Sequence, residues 1–206
     1  MPRTSLSEGE LAAFRSRVID AATALFAGTG YDGVTMRAIA NEVGCSPMTP
    51  YRYFRDKDEI FAEVAAAAYR RFANAQADSI TNIEDPGEKL TALGIAYVRF
   101  ALIEPDAYRV MFELTQSLPA DHPELQAQAH RASMIMRDTV AAAVDAGVIQ
   151  GDPETAFHIL WAGLHGVISL HLAGKLQFGR TVDELIPAMM MNARAGLSGH
   201  NEDDSE

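Results

Sequence analysis

The chain has 206 residues, 48% hydrophobic and 22% charged, with one cysteine and a formal net charge of −11. These values exclude a disordered, collagen-like or coiled-coil chain, an internal disulfide and a cysteine-based zinc site, and they admit one or two globular domains. The N-terminus is polar, with no apolar leader, and no 18-residue stretch is free of charged and strongly polar residues. A soluble cytoplasmic protein without a membrane span is therefore expected.

The pattern is helical from end to end. Val18, Ile19, Ala22, Leu25 and Phe26 recur at helical spacing and predict a helix over residues 10–28, stopped by Gly28-Thr29-Gly30. Thr35 is the expected N-cap of a short helix over 36–43, and Gly44 its terminator. Ser46-Pro47 reads as the N-cap and first residue of a third short helix, 47–53. Asp56-Lys57-Asp58-Glu59 has the form of a capping box opening a long helix to residue 80. Further helices are expected at 87–103, 106–117, 123–146, 153–173 and 182–197, punctuated by Pro105, Pro119, Pro123, Pro153 and Gly174. The acidic end, 199–206, is expected to be disordered.

Charge is unevenly spread. Residues 1–60 hold seven Lys/Arg against eight Asp/Glu, so almost all the net negative charge lies beyond residue 60. Acidic chains are poor polyanion binders, because nucleic-acid affinity comes largely from neutralised phosphates. The local exception is Arg52, Arg55 and Lys57, three cations within six positions.

Enzymatic patterns do not assemble. Gly28-Thr29-Gly30-Tyr31-Asp32-Gly33 matches G-x-G-x-x-G, but a helix, not a strand, precedes it, so the glycines are expected to cap a helix and permit a turn. His158, Trp161 and His165 share a helix face, yet two histidines without a carboxylate are too few ligands for a metal. Cys45 reads as a packing residue, and Ser198 lacks the spacing of a nucleophile elbow. No catalytic residue, metal or cofactor is expected.

The helix–turn–helix pattern is positive. In such a unit the second helix enters the major groove, and its first residues meet base edges. Here these are Ser46, Pro47, Met48 and Thr49, followed by Tyr51, Arg52, Tyr53 and Lys57, whose hydroxyls and cations suit phosphates. The alternative is that Tyr53 and Phe54 only pack the small core while the cations are solvated. With Ser46 as N-cap, Pro50 falls at the fourth helical position, where it removes a helix hydrogen bond and pushes Thr49 out of the α region.

Residues 15–72 resemble the DNA-binding domain of the TetR family of bacterial transcriptional regulators. The resemblance rests on Ile19-Asp20-Ala21-Ala22, Leu25-Phe26, Gly30-Tyr31, Thr35-Met36-Arg37-Ala38-Ile39-Ala40, Val43-Gly44-Cys45-Ser46, Thr49, Tyr51-Arg52-Tyr53-Phe54 and Lys57-Asp58-Glu59-Ile60. It implies that Arg37 and residues 46–49 face bases, while Thr35, Tyr51, Tyr53 and Lys57 hold phosphates. Pro50 departs from the family pattern, which has an apolar, helix-compatible residue there. Residues 80–195 resemble a C-terminal domain of the same family marked by Trp161, His165 and Gly166. That resemblance implies a two-fold dimer interface on the last two helices, carried by Leu164, Val167, Ile168, Leu185, Met189 and Met190.

The expected architecture is all-α. A helix–turn–helix domain spans 10–60, helix 57–80 links it onward, and a ligand-binding and dimerisation domain spans 80–198. Helix 153–173 is apolar nearly all round, as a helix buried on every side would be. Tyr97, Phe100, Met111, Phe112, Met134, Ile135, Trp161 and His165 either line a ligand cavity or are ordinary core. The function expected is a homodimeric repressor released from a palindromic operator by a small, largely apolar ligand. Two rivals are a helical enzyme using His158 or His165 as base, and a ligand-binding module without DNA binding.

Overall fold

The computed structural model describes residues 7–114, 119, 121–177 and 179–196, except the side chains of Met190 and residues 192–196. The expected disordered tail, 199–206, lies outside the described residues. Among the described residues, eight α-helices follow one another: α1 (Glu8–Gly33), α2 (Met36–Val43), α3 (Lys57–Ile80), α4 (Pro86–Ile103), α5 (Pro105–Phe112), α6 (Pro123–Asp145), α7 (Pro153–Leu172) and α8 (Val182–Gly196). The described residues contain no strand.

Two compact units form, and neither is continuous in sequence. The first comprises residues 1–71 and 104–129, the second 72–103 and 130–206. The first therefore recruits α5 and the start of α6, which the sequence pattern had assigned to the second half. Val110 and Leu125 explain this. Both are buried in one cluster with Phe14, Val18, Phe26, Ile39 and Phe61, and α5 packs along α1. A small three-helix core gains apolar cover that its own residues do not supply. Helix α5 also stops at Phe112, not at residue 117.

Local signals set most helix ends. Ser7 caps α1 in a full capping box with Glu10. Gly30 adopts φ 74 and ψ 170 and breaks α1 near its end, so the glycine-rich stretch is a helix stop. The Thr35 side chain accepts from the Ala38 N–H at 3.1 Å. Gly44 is left-handed (φ 77, ψ 39), and with Cys45 it returns two N–H groups to the last carbonyls of α2. Asp152 caps α7 through the Thr155 N–H, which holds its carboxyl below the usual carboxylate range.

In the second unit, α7 packs against α4 and α8. The expectation that α7 is buried on every side is corrected. Ala156, Phe157, Leu160, Leu164 and Ile168 enter the core, but Ile159 is 53% exposed and Leu170 46%. By length and composition alone α7 is apolar enough to cross a bilayer. A core helix of a bundle passes the same test, and α7 supplies five residues to such a core.

Candidate DNA-binding interface and helical effector unit

The segment after α2 is shorter than the helix expected over 47–53. Residues 46–49 form a turn, closed by the Thr49 N–H on the Ser46 carbonyl at 2.8 Å, and one 3-10 turn follows over Pro50–Arg52. Pro50 is its first residue, not the fourth of an α-helix. Its missing N–H costs nothing at that position, and its ring is buried. Thr49 keeps α-region angles (φ −68, ψ −44), so the expected displacement does not occur.

This arrangement sorts the candidate residues by exposure. Arg37, Ser46, Pro47, Met48, Tyr51 and Arg52 are exposed, Met48 by 67% and Tyr51 by 49%. Thr49, Tyr53 and Lys57 are half-buried, whereas Pro50 and Phe54 face the core. Thr35 is exposed and already spends an oxygen lone pair on the α2 cap. The Tyr53 ring packs on Phe14 at 4.7 Å, with the Arg52 guanidinium 5.6 Å from its centroid. The Lys57 ammonium donates to the Tyr31 carbonyl at 2.9 Å and sits 3.9 Å from that ring.

Two anchors hold the turn against α3. Arg15 donates to the Tyr53 carbonyl, pairs with Glu63, and lies 4.3 Å from the Phe54 ring centroid. Asp56 accepts from the Glu59 N–H at 2.9 Å, and Glu59 accepts from the Arg55 N–H at 2.7 Å. The expected capping box thus closes one residue further back, on Arg55 instead of Asp56. The Glu59 N–H, then the Arg55 side chain, hold the Asp56 carboxyl below its usual value. Arg15 was missed in the sequence because its partners lie 38 and 48 positions away. No local spacing encodes them.

The expected pocket residues divide between the units. Met111 and Phe112 belong to the first; Tyr97, Phe100, Met134, Ile135, Trp161 and His165 belong to the second. There the Trp161 indole N–H donates to the Tyr97 hydroxyl at 3.2 Å, and the His165 ring lies 3.4 Å from the Ser169 hydroxyl. Tyr97 and Phe100 are buried and both flank Phe72, each at 5.1 Å between ring centroids. Met134 is more than one-third exposed. An apolar groove of about 430 Å³ runs between α4 and α8, bordered by Ile95, Leu102, Ile103 and Ile186.

Leu164 and Ile168, two of the expected dimer residues, are buried within the subunit's own core. Val167, Leu185 and Met189 are half-buried, and the Met190 side chain lies outside the described residues. The open stripe of α7 is instead Ile159, Ala162, Gly166 and Leu170, at successive three- and four-residue steps. A Cβ added at Gly166 would meet nothing within 4 Å, whereas one at Gly163 would lie 2.8 Å from the Met189 sulfur. Gly163 therefore serves the α7–α8 packing within the chain, and Gly166 leaves the outer face bare.

Two units of helices, the first built around a helix–turn–helix, define the class as a helix–turn–helix regulator. Residues 18–64 match the profile of bacterial regulatory proteins of the tetR family, and residues 90–192 match that of the tetracyclin repressor-like C-terminal domain. The chain belongs to the TetR family. A solved protein of unknown function from Rhodococcus sp. RHA1 is 26% identical, with a TM-score of 0.76 over 96% of this chain and 99% of that one. A TetR family transcription regulator from Marinobacter aquaeolei VT8 shares the fold at 22% identity, with a TM-score of 0.74 over 91% of this chain and 98% of that one. Among curated proteins, the HTH-type transcriptional repressor Rv1474c of Mycobacterium tuberculosis is 38% identical over 73 residues, 35% of this chain and 38% of that protein. The HTH-type transcriptional repressor AcnR of Corynebacterium jeikeium is 32% identical over 78 residues, 38% of this chain and 40% of that protein. The chain thus spans about two-fifths of the length of the curated relatives it matches.

Proposed function

We propose that this chain is a ligand-responsive transcriptional repressor that binds a palindromic operator as a homodimer. The observation that carries this reading is the exposed turn at residues 46–52, fixed from behind by Pro50, Phe54 and Arg15, in a chain whose acidity is concentrated elsewhere. Arg37, Ser46, Pro47, Met48 and Thr49 are assigned to base edges. Thr35, Tyr51, Arg52, Tyr53 and Lys57 are assigned to phosphates. Repression is favoured over activation because both curated relatives are named repressors.

The second unit is assigned to the effector and to dimerisation. The aromatic cluster of Tyr97, Phe100 and Trp161 suits a small, largely apolar ligand. The open stripe Ile159, Ala162, Gly166 and Leu170 suits a two-fold contact, because small residues let a partner helix approach closely. A symmetric dimer places two turns at half-sites about 34–36 Å apart, or a multiple of that. The ligand acts by favouring a dimer whose spacing does not fit, to the extent of its differential affinity for the two forms. Such a regulator works where its DNA is, in the cytoplasm.

A gel-shift assay with DNA from upstream of the chain's own coding region tests the reading. Sequence-selective binding that falls steeply with salt is expected. Equal binding to upstream and scrambled DNA at every salt concentration overturns it.

A further inference from the structure

Gln76 lies on the part of α3 that belongs to the second unit, and it is fully buried. Neither its side-chain nitrogen nor its side-chain oxygen has a hydrogen-bond partner. The nearby Ser79 hydroxyl bonds the backbone carbonyl of Gln76 and leaves the carboxamide untouched. Thr139, also buried, spends its hydroxyl on the Ile135 carbonyl. A carboxamide has two donors and one acceptor, and burying all of them unpaired is costly. Leucine would fill the same space without that cost, so packing alone does not account for a glutamine here.

An aromatic cluster begins one helical turn away. Phe72, one helical turn earlier, shares the face of α3 that carries Gln76, and its ring meets Tyr97 and Phe100 on α4. The Tyr97 hydroxyl already accepts the Trp161 N–H. Further along α4, Leu90, Leu93 and Gly94 border a void of only about 10 Å³. That void is at the lower limit of what one water requires. A ligand that reaches Gln76 has to part the helices to enter, and it would meet there a buried carboxamide with no partner.

We propose that Gln76 is the specificity-determining anchor of the effector site, and that it selects ligands with a neutral carboxamide head on an apolar body. This rests on the reading of the second unit as an effector unit. Two carboxamides present a donor and an acceptor to each other and close a two-bond ring. An alcohol offers a single oxygen and leaves part of the glutamine unpaired. A carboxylate would bring a charge into the interior, where the buried polar side chains among the described residues are Gln76 and Thr139, neither of them a cation.

The test uses the full chain without DNA, with octanamide and 1-octanol as probes and the thermal midpoint and Trp161 fluorescence as readouts. The parent should bind octanamide about tenfold or more tightly than 1-octanol, because a site built to hydrogen-bond discriminates against analogues that cannot. Gln76→Leu should melt about 2–4 °C higher without ligand, as expected when an unpaired buried amide is removed from a chain of this size. It should bind the two probes equally. Gln76→Met serves the same purpose if the leucine variant does not fold. The proposal is overturned if the parent does not respond to octanamide, or does not prefer it. Retention of the preference in the variant overturns it too, as does a lower ligand-free midpoint, which would mean the amide is a structural or water-bonded group. Loss of selective DNA binding with intact octanamide preference would fell the regulator reading and leave the anchor standing; the converse result would do the opposite.

Discussion

The Arg15 guanidinium, on α1, donates to the Tyr53 carbonyl just after the 3-10 turn and so couples the first helix to the candidate DNA-contacting segment. The same side chain pairs with Glu63 on α3 and lies against the Phe54 ring. One residue thus joins three segments of the first unit. Its side chain is 30% exposed, so solvent screens part of the electrostatic gain.

Arg15→Ala should lower stability by about 1–2 kcal/mol, the range for a partly exposed charge-assisted bond plus lost packing. It should also weaken operator binding, although Arg15 is not assigned to the DNA, because the turn loses its tether. Arg15→Lys should recover part of the stability and less of the binding, since an ammonium cannot reproduce the forked geometry. Thermal unfolding and gel shift on the two variants check this. Unchanged operator affinity in Arg15→Ala would show that the turn is held by Pro50 and Phe54 alone.

Pro50 leads to a second expectation, opposite to the one its sequence position suggests. A proline at the fourth position of an α-helix would be a defect, and its removal would stabilise the chain. At the first position of the 3-10 turn, with its ring buried, it is pre-set for its angle and lowers the entropy of the unfolded chain. Pro50→Ala should therefore destabilise by about 1 kcal/mol, from lost burial and lost pre-organisation. A rise in melting temperature would mean the segment prefers a longer helix than the one described.

How much the sequence disclosed follows from the range of each signal. Thr35 and Gly44 act on groups three or four residues away, and each cap is found where residue type and spacing placed it. The start of the turn after α2 was misplaced because Ser46-Pro47 and Thr49-Pro50 are both plausible helix openings, and only burial of the Pro50 ring decides between them. The role of α5 was hidden because Val110 meets residues nearly a hundred positions earlier. The uneven burial of α7 was hidden for another reason. Ile159 and Leu170 are as apolar as Leu164 and Ile168, so periodicity does not distinguish the core face from the open one.

Asp56 gives a pH expectation. Its carboxyl is held below the usual value by the Glu59 N–H and then by the Arg55 side chain. A lowered folded value means the contribution is present above the unfolded value, near ~4, and is lost as pH falls through the folded one. Asp56→Ala should cost about 0.5–1 kcal/mol at neutral pH, the ordinary cost of an N-cap. The difference from the parent should shrink below about pH 4. Melting curves from pH 7 to pH 3 check the sign. A difference that grows on acidification would mean the cap does not act through its charged form.

The last expectation concerns the two faces of α7, which under the proposed function divide dimerisation from folding. Leu164 and Ile168 point into the subunit core, whereas Ile159 and Leu170 are exposed on the stripe that includes Gly166. Apolar side chains aligned on one face, with a glycine leaving room between them, suit a self-complementary contact. Ile159→Arg and Leu170→Arg would set like charges across the two-fold axis in a desolvated contact, where salt screens little. Both variants should remain folded, with helical circular dichroism close to the parent, but sediment as monomers. Loss of one of two linked half-sites should then lower operator affinity at least about a hundredfold. Ile168→Arg should fail differently, by unfolding or insolubility, because it buries an unpaired charge inside the subunit. Analytical ultracentrifugation of the three proteins distinguishes the faces. Folded dimers for Ile159→Arg and Leu170→Arg with parental operator affinity would place the two-fold axis elsewhere, and a folded, soluble Ile168→Arg would show that the core assignment of that face is wrong.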